Sequence, residues 1–167
     1  MKDSPSQPMP RLCGDCNLCC TINRVKEIDK PAHQRCDYNN RLNRCSIFGK
    51  PERPIACNIF TCSWVDGITP EELPPSKVHA YMVPDTKHDQ LFVYVDPKYP
   101  DAWRRGILGD YINEVAKLII VIVRIGEDVA MYYHGADPQL HRKIEMTLQR
   151  YGIVDPNAGN YRKEFRK

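Results

Sequence analysis

Apolar residues recur with regular periods between Lys77 and Ile125, and they do not before Trp64. Lys77–Val83 and Gln90–Val95 are rich in β-branched and aromatic residues, which predicts two strands. The DPKYPD stretch then supplies a turn. In Ala102–Lys117 the residues Trp103, Ile107, Leu108, Tyr111, Ile112, Val115 and Ala116 fall at helical spacing, which predicts a helix that Gly106 and Gly109 weaken. Leu118–Ile125, rich in β-branched residues and bounded by Gly126, predicts a buried strand. Gly126-Glu127-Asp128 turns into Val129–Tyr133 to make a hairpin. Asp137–Tyr151 predicts a second helix, with Asp137 as cap, Pro138 in the first position, Leu140, Ile144 and Leu148 as the buried stripe, and Gly152 ending it. The order β-β-α-β-β-α with local hairpins predicts an α+β fold, in which a small antiparallel sheet carries two helices on one face.

The first part of the chain follows no such period. Residues 1–10 hold three prolines and read as a flexible leader. Residues 11–64 have few aliphatic side chains, too few to order the segment by apolar burial alone. A bound metal can supply the missing folding free energy, so residues 11–64 are expected to form an irregular, metal-stapled cysteine-cluster module packed on the sheet. The stretch Asp66–Ser76 reads as a turn and linker with one helical turn at TPEEL, where Thr69 caps and Pro70 takes the first position. Residues 65–155 make the α+β unit and 156–167 a basic tail.

Eight cysteines all fall in that first module: Cys13, Cys16, Cys19, Cys20, Cys36, Cys45, Cys57 and Cys62. Thiols concentrated in this way hold a metal or form disulfides. A disulfide framework leaves about 105 pairings open. For metal, a Cys-x-x-Cys step brings two sulfurs to one side of a turn, and Cys13/Cys16 and Cys16/Cys19 make two overlapping steps. A helix from Asp15 would place Cys16, Cys19 and Cys20 on one face, at i, i+3 and i+4. The sulfurs of Cys19 and Cys20 diverge unless the backbone bends. Eight sulfurs permit two four-thiolate sites or one with spare thiols. Zinc and iron–sulfur clusters both accept four thiolates.

Charge bears on the same choice. Residues 1–64 hold ten Lys and Arg against six Asp and Glu, whereas the rest of the chain holds fourteen against fifteen. The basic excess would balance bound thiolates. The net charge of +3 is too small to argue for nucleic acid. The first residues contain no signal-like apolar stretch, and the longest mostly apolar stretch, Leu118–Ile125, is too short to span a bilayer. A cytoplasmic location is expected, where thiols stay reduced. Pro54 biases Arg53 to an extended backbone, which would hold its guanidinium near the thiolates as an anchor for an anion or cofactor.

The strings CGDCNLCC, RCDYNNRLNRCSIF and RPIACNIFTCSW, within residues 13–64, resemble the CxxCxxCC (YkgJ-like) family of zinc- or iron-chelating bacterial proteins. Cys13, Cys16, Cys19 and Cys20 match the family's run. Cys45 with Ser46-Ile47-Phe48 matches its middle step, with Phe48 in place of tyrosine, and Arg53-Pro54 with Cys57 matches the RPxxC step. The resemblance implies chelation of zinc or iron. Some larger relatives are S-adenosylmethionine-dependent flagellin lysine N-methylases, and this chain is much shorter.

Three functions follow as expectations. The leading one is a small metal-chelating protein with a structural or redox-sensing zinc or iron–sulfur centre, its partner a metal ion. The others are an iron–sulfur enzyme of lysine methylation or electron transfer, and a zinc-stabilised module for interaction or nucleic acid. His33 is expected in a surface loop, with a ligand role as its alternative. His79 and His134 are expected as structural residues, and Trp103 and Tyr132-Tyr133 as packing. No P-loop, GxSxG or HExxH motif occurs.

Overall fold

The computed structural model describes residues 11–13, 16–40, 44–126, the backbone of 128–132, and residue 146. The expected leader, the second helix at 137–151 apart from residue 146, the basic tail, His134, His141 and the Tyr132-Tyr133 side chains lie outside the described residues.

The cysteine segment holds two short helices, α1 (Leu18–Ile22) and α2 (Ile55–Ile59), and one tight helical turn at Lys26–Ile28. α3 (Pro75–Val78) leads into β1 (Ala80–Asp85), which pairs antiparallel with β2 (Gln90–Val95), Ala80 opposite Val95. A turn at Ala102–Arg104 precedes α4 (Gly106–Val115). β3 (Ile120–Ile125) then lies beside β2 in parallel, Gln90 opposite Ile120, and β4 (Asp128–Tyr132) pairs antiparallel with β3. The sheet order is β1-β2-β3-β4.

This corrects the expected fold class. The sheet is mixed, not antiparallel. A short hairpin loop reverses direction, but the connection from β2 to β3 carries α4, and that return makes the two central strands parallel. The expected helix from Ala102 is divided, because Arg105 is extended and Gly106 takes φ +57°. The first strand starts at Ala80, after α3 and a left-handed His79. Thr69 does not cap a helix there: its Oγ1 is buried with no partner among the described residues.

Alternation along the strands gives the sheet two different faces. Ala80, Met82, Leu91, Val93, Val95, Val121 and Val123 point to one face. Leu108 and Ile112 of α4 and Ala116 at its C-terminal cap, spaced by four, cover them together with Trp103, so this tryptophan is core packing. Gly109 lets the helix approach the preceding turn, since a Cβ there would sit 2.7 Å from the Arg104 carbonyl carbon.

The opposite face carries Tyr81, Val83 and Tyr94, and the cysteine segment packs on it through Leu18 and Ile22 of α1. Burying such an aliphatic side chain contributes roughly 1.5–3 kcal/mol. Phe60 meets Tyr81 edge-on at 5.6 Å, and Tyr81 stacks on Tyr94 at 4.9 Å. Ser63 donates twice to the Met82 carbonyl, from its amide at 2.9 Å and its hydroxyl at 2.7 Å. The Tyr81 hydroxyl donates to Asn23 Oδ1.

The expected metal staple is also corrected. Polar groups tie this segment together. Lys30 is 6% exposed, and its ammonium donates to the carbonyls of Thr21, Asn23 and Pro31 around the end of α1. Arg11 donates to the carbonyls of Trp64 and Thr69. The Glu27 carboxylate accepts from the amides of Ile55 and Ala56, at 2.8 and 3.3 Å, and so caps α2.

Candidate functional site

All eight cysteines are free thiols, and all eight line one cavity of about 860 Å³ between the cysteine segment and the sheet. They arrive from several local structures. Cys19 and Cys20 sit on α1, which starts at Leu18, so Cys16 precedes the helix instead of sharing its face. Cys16, Cys19 and Cys62 pack against the Leu18–Ile22–Tyr81 cluster. The Cys36 amide donates to the Cys20 carbonyl at 3.1 Å. Cys45 bridges to Asn39, and Cys57 lies on α2. Cys13 is exposed at the rim. Arg53 lines the cavity, its guanidinium 4.4 Å from the Phe48 ring centre. His33 does not line it, and His79 stacks on Tyr99 at 3.7 Å in a different part of the fold.

The thiols share a cavity without converging on a point. Among the described residues, no three His, Cys, Asp or Glu side chains are grouped so as to hold a metal ion. Coordination needs sulfurs about 2.3 Å from one centre, and these are spread over the walls of a much larger space. The expectations of zinc or an iron–sulfur cluster as cofactor, and of a metal ion as partner, are corrected on that ground. The chelating and redox-cluster functions, and the cluster-dependent alternatives of lysine methylation and electron transfer, go with them. So does the zinc-stabilised nucleic-acid module.

The environment separates one thiol from the others. Cys19 donates its hydrogen to the Cys20 sulfur, and this, with the charges of Arg53 and Lys30, lowers Cys20 from an ordinary 9.0 to about 6. Asn39 approaches Cys20 as well, short of a well-formed hydrogen bond. The same donation, with burial, pushes Cys19 far up. Burial pushes Cys16 up to about 11 and also raises Cys13 and Cys57. Lys30 is lowered by burial, an effect the neighbouring thiols oppose. The adjacent sulfurs therefore do not diverge: they share one proton between a donor and an acceptor. Lys30, Asn39 and Tyr81 went unnoticed in the sequence. Lys30 is one of several Lys and Arg in the cysteine window, and nothing local set it apart from the others.

Fold and site together define a mixed α/β domain with a thiol-lined cavity on one face of its sheet. The chain belongs to the UPF0153 protein family. It is 36% identical over 64 residues to the UPF0153 protein of Vibrio cholerae serotype O1, an alignment covering 34% of this chain and 78% of that protein. No family model matches the chain, and no solved structure matches it. The resemblance to the YkgJ-like family is corrected accordingly: no family model supports it, and the thiols lack the grouping that its chelating role requires. No match carries methylation, electron transfer or nucleic-acid binding to this chain. No helix among the described residues is long and apolar enough to cross a membrane.

Proposed function

We propose that this protein performs thiol–disulfide exchange on a small molecule held in the cavity, with Cys20 as the nucleophile. The observation that carries the reading is the placement of one thiol, among eight around a single cavity, beside a thiol donor and two cations. A thiolate attacks where a thiol does not. The Cys20 sulfur forms a bond to one sulfur of the ligand's disulfide. The ligand's S–S bond breaks, and the departing thiolate takes the electron pair. The proton stays on Cys19. Cys13 and Cys57 are our candidates to resolve the mixed disulfide, since the Cys20 charge has the largest charge effect on each. Either one then forms the protein disulfide, and its proton leaves with the second ligand thiol. Repeated turnover needs reduced thiols, and we assign the chemistry to the cytoplasm, where they persist.

The test uses fully reduced protein and a limiting amount of the neutral disulfide dithiodipyridine, at about pH 6.5, where few ordinary thiols are ionised. Peptide mapping should find the first equivalent mainly on Cys20, and Cys20→Ser should slow the initial reaction several-fold, to about the rate of the remaining thiols. Label spread evenly over the thiols, or a rate unchanged by Cys20→Ser, sinks the reading.

A further inference from the structure

Five basic residues line the cavity, Arg11, Arg24, Lys30, Arg44 and Arg53, and no Asp or Glu is found among its described lining residues. A cavity with one sign of charge and low-dielectric walls concentrates ligands of the opposite sign. Arg11 and Lys30 are among those committed elsewhere. Arg11 holds the carbonyls of Trp64 and Thr69, and Lys30 spends its three donors on backbone carbonyls. Arg53 differs. Its Nε is buried with no hydrogen-bond partner among the described residues, and its guanidinium plane is steadied against Phe48. A buried guanidinium donor left unsatisfied by the protein is costly, and a carboxylate accepting from it removes that cost. The walls around it include Phe48, Phe60, Trp64 and Tyr81, which suit an aromatic or aliphatic body.

We infer that the cavity selects an anionic ligand, an organic carboxylate with an apolar body, and that Arg53 receives its carboxylate beside Cys20. This rests on the thiol-exchange reading and names its substrate class: a disulfide whose substituents carry carboxylates. Arg53 acts here as a specificity residue and Cys20 as the reacting group.

Two aromatic disulfides of like shape provide the test. Dithiobis(nitrobenzoate) is a dianion and dithiodipyridine is neutral at pH 7. Both consume the same Cys20 thiolate, so the ratio of their rates does not depend on how much of it is ionised. Measured against the same ratio for free cysteine, the protein should favour the anionic reagent by about tenfold. Arg53→Gln should bring the ratio close to that of free cysteine, and Arg53→Lys should keep most of the preference. An equal preference in wild type and Arg53→Gln, with Cys20 still reactive, overturns the inference and leaves the exchange reading intact. If neither reagent modifies Cys20, the exchange reading falls, and equilibrium dialysis of nitrobenzoate against neutral nitrobenzamide on Cys20→Ser decides the anion site. Tighter binding of nitrobenzoate, lost in Cys20→Ser/Arg53→Gln, supports it. Equal binding of the two overturns it.

Discussion

Removing the Cys19 thiol should change the shape of Cys20's pH profile, not merely its rate. In the folded protein Cys19 is the leading reason that Cys20 lies at about 6 instead of 9.0. At pH 7 a thiol at 6 is about ninety times more ionised than one at 9. Its thiolate is also weaker, because nucleophilicity falls with basicity by about 0.4–0.5 log units per pKa unit, or about twentyfold over this interval. The two effects leave Cys20 only about fourfold faster than an ordinary thiol at pH 7, about twentyfold faster at pH 6, and about tenfold slower at pH 9. The crossover falls between about pH 7 and 8. The rate of dithiodipyridine labelling at Cys20 itself, followed by peptide mapping, should therefore level off above about pH 7 in wild type. In Cys19→Ala it should climb about tenfold per pH unit through pH 8, as for an ordinary thiol. A wild-type rate that still climbs through pH 8, or a Cys19→Ala profile that levels off at the same pH, refutes the assignment of the proton to Cys19.

The same pair should couple pH to stability. Cys20 is lowered, so its contribution is present above 9.0 and is lost as pH falls through about 6, while Cys19 is raised, so its contribution is lost as pH rises past 9.0. Urea unfolding of reduced protein should show stability rising from about pH 6 to 9 and falling above it, and Cys20→Ser should flatten the rise. Lys30→Met keeps the buried stem but leaves the carbonyls of Thr21, Asn23 and Pro31 without their shared donor. It should cost about 3 kcal/mol by urea denaturation, and a neutral result would mean that these carbonyls find other partners. Gly109→Ala sets a Cβ 2.7 Å from the Arg104 carbonyl carbon and should destabilise by about 1–3 kcal/mol. Helix propensity alone would instead stabilise it by about 1 kcal/mol, so a raised melting temperature would show that the turn yields freely.

The sequence by itself determined where the strands lie and where the thiols concentrate. Gln90–Val95 is a strand at the residues its β-branched and aromatic pattern marks, because alternation is a local property that each short segment carries. The confinement of all eight cysteines to the first part of the chain is likewise visible in the sequence. Direction and partnership were not. Whether β3 runs with or against β2 depends on how α4 returns the chain across the sheet, and no pattern within either strand records that. Cysteine spacing suggested convergence on a metal, because Cys-x-x-Cys steps describe only neighbours. Three-dimensional packing spread those sulfurs around a cavity. Only the tertiary structure selected Cys20, because its donor is adjacent in sequence but its cations, Arg53 and Lys30, reach it through the fold. Burial and electric fields sum over everything nearby in space, and most of what lies near Cys20 is distant along the chain.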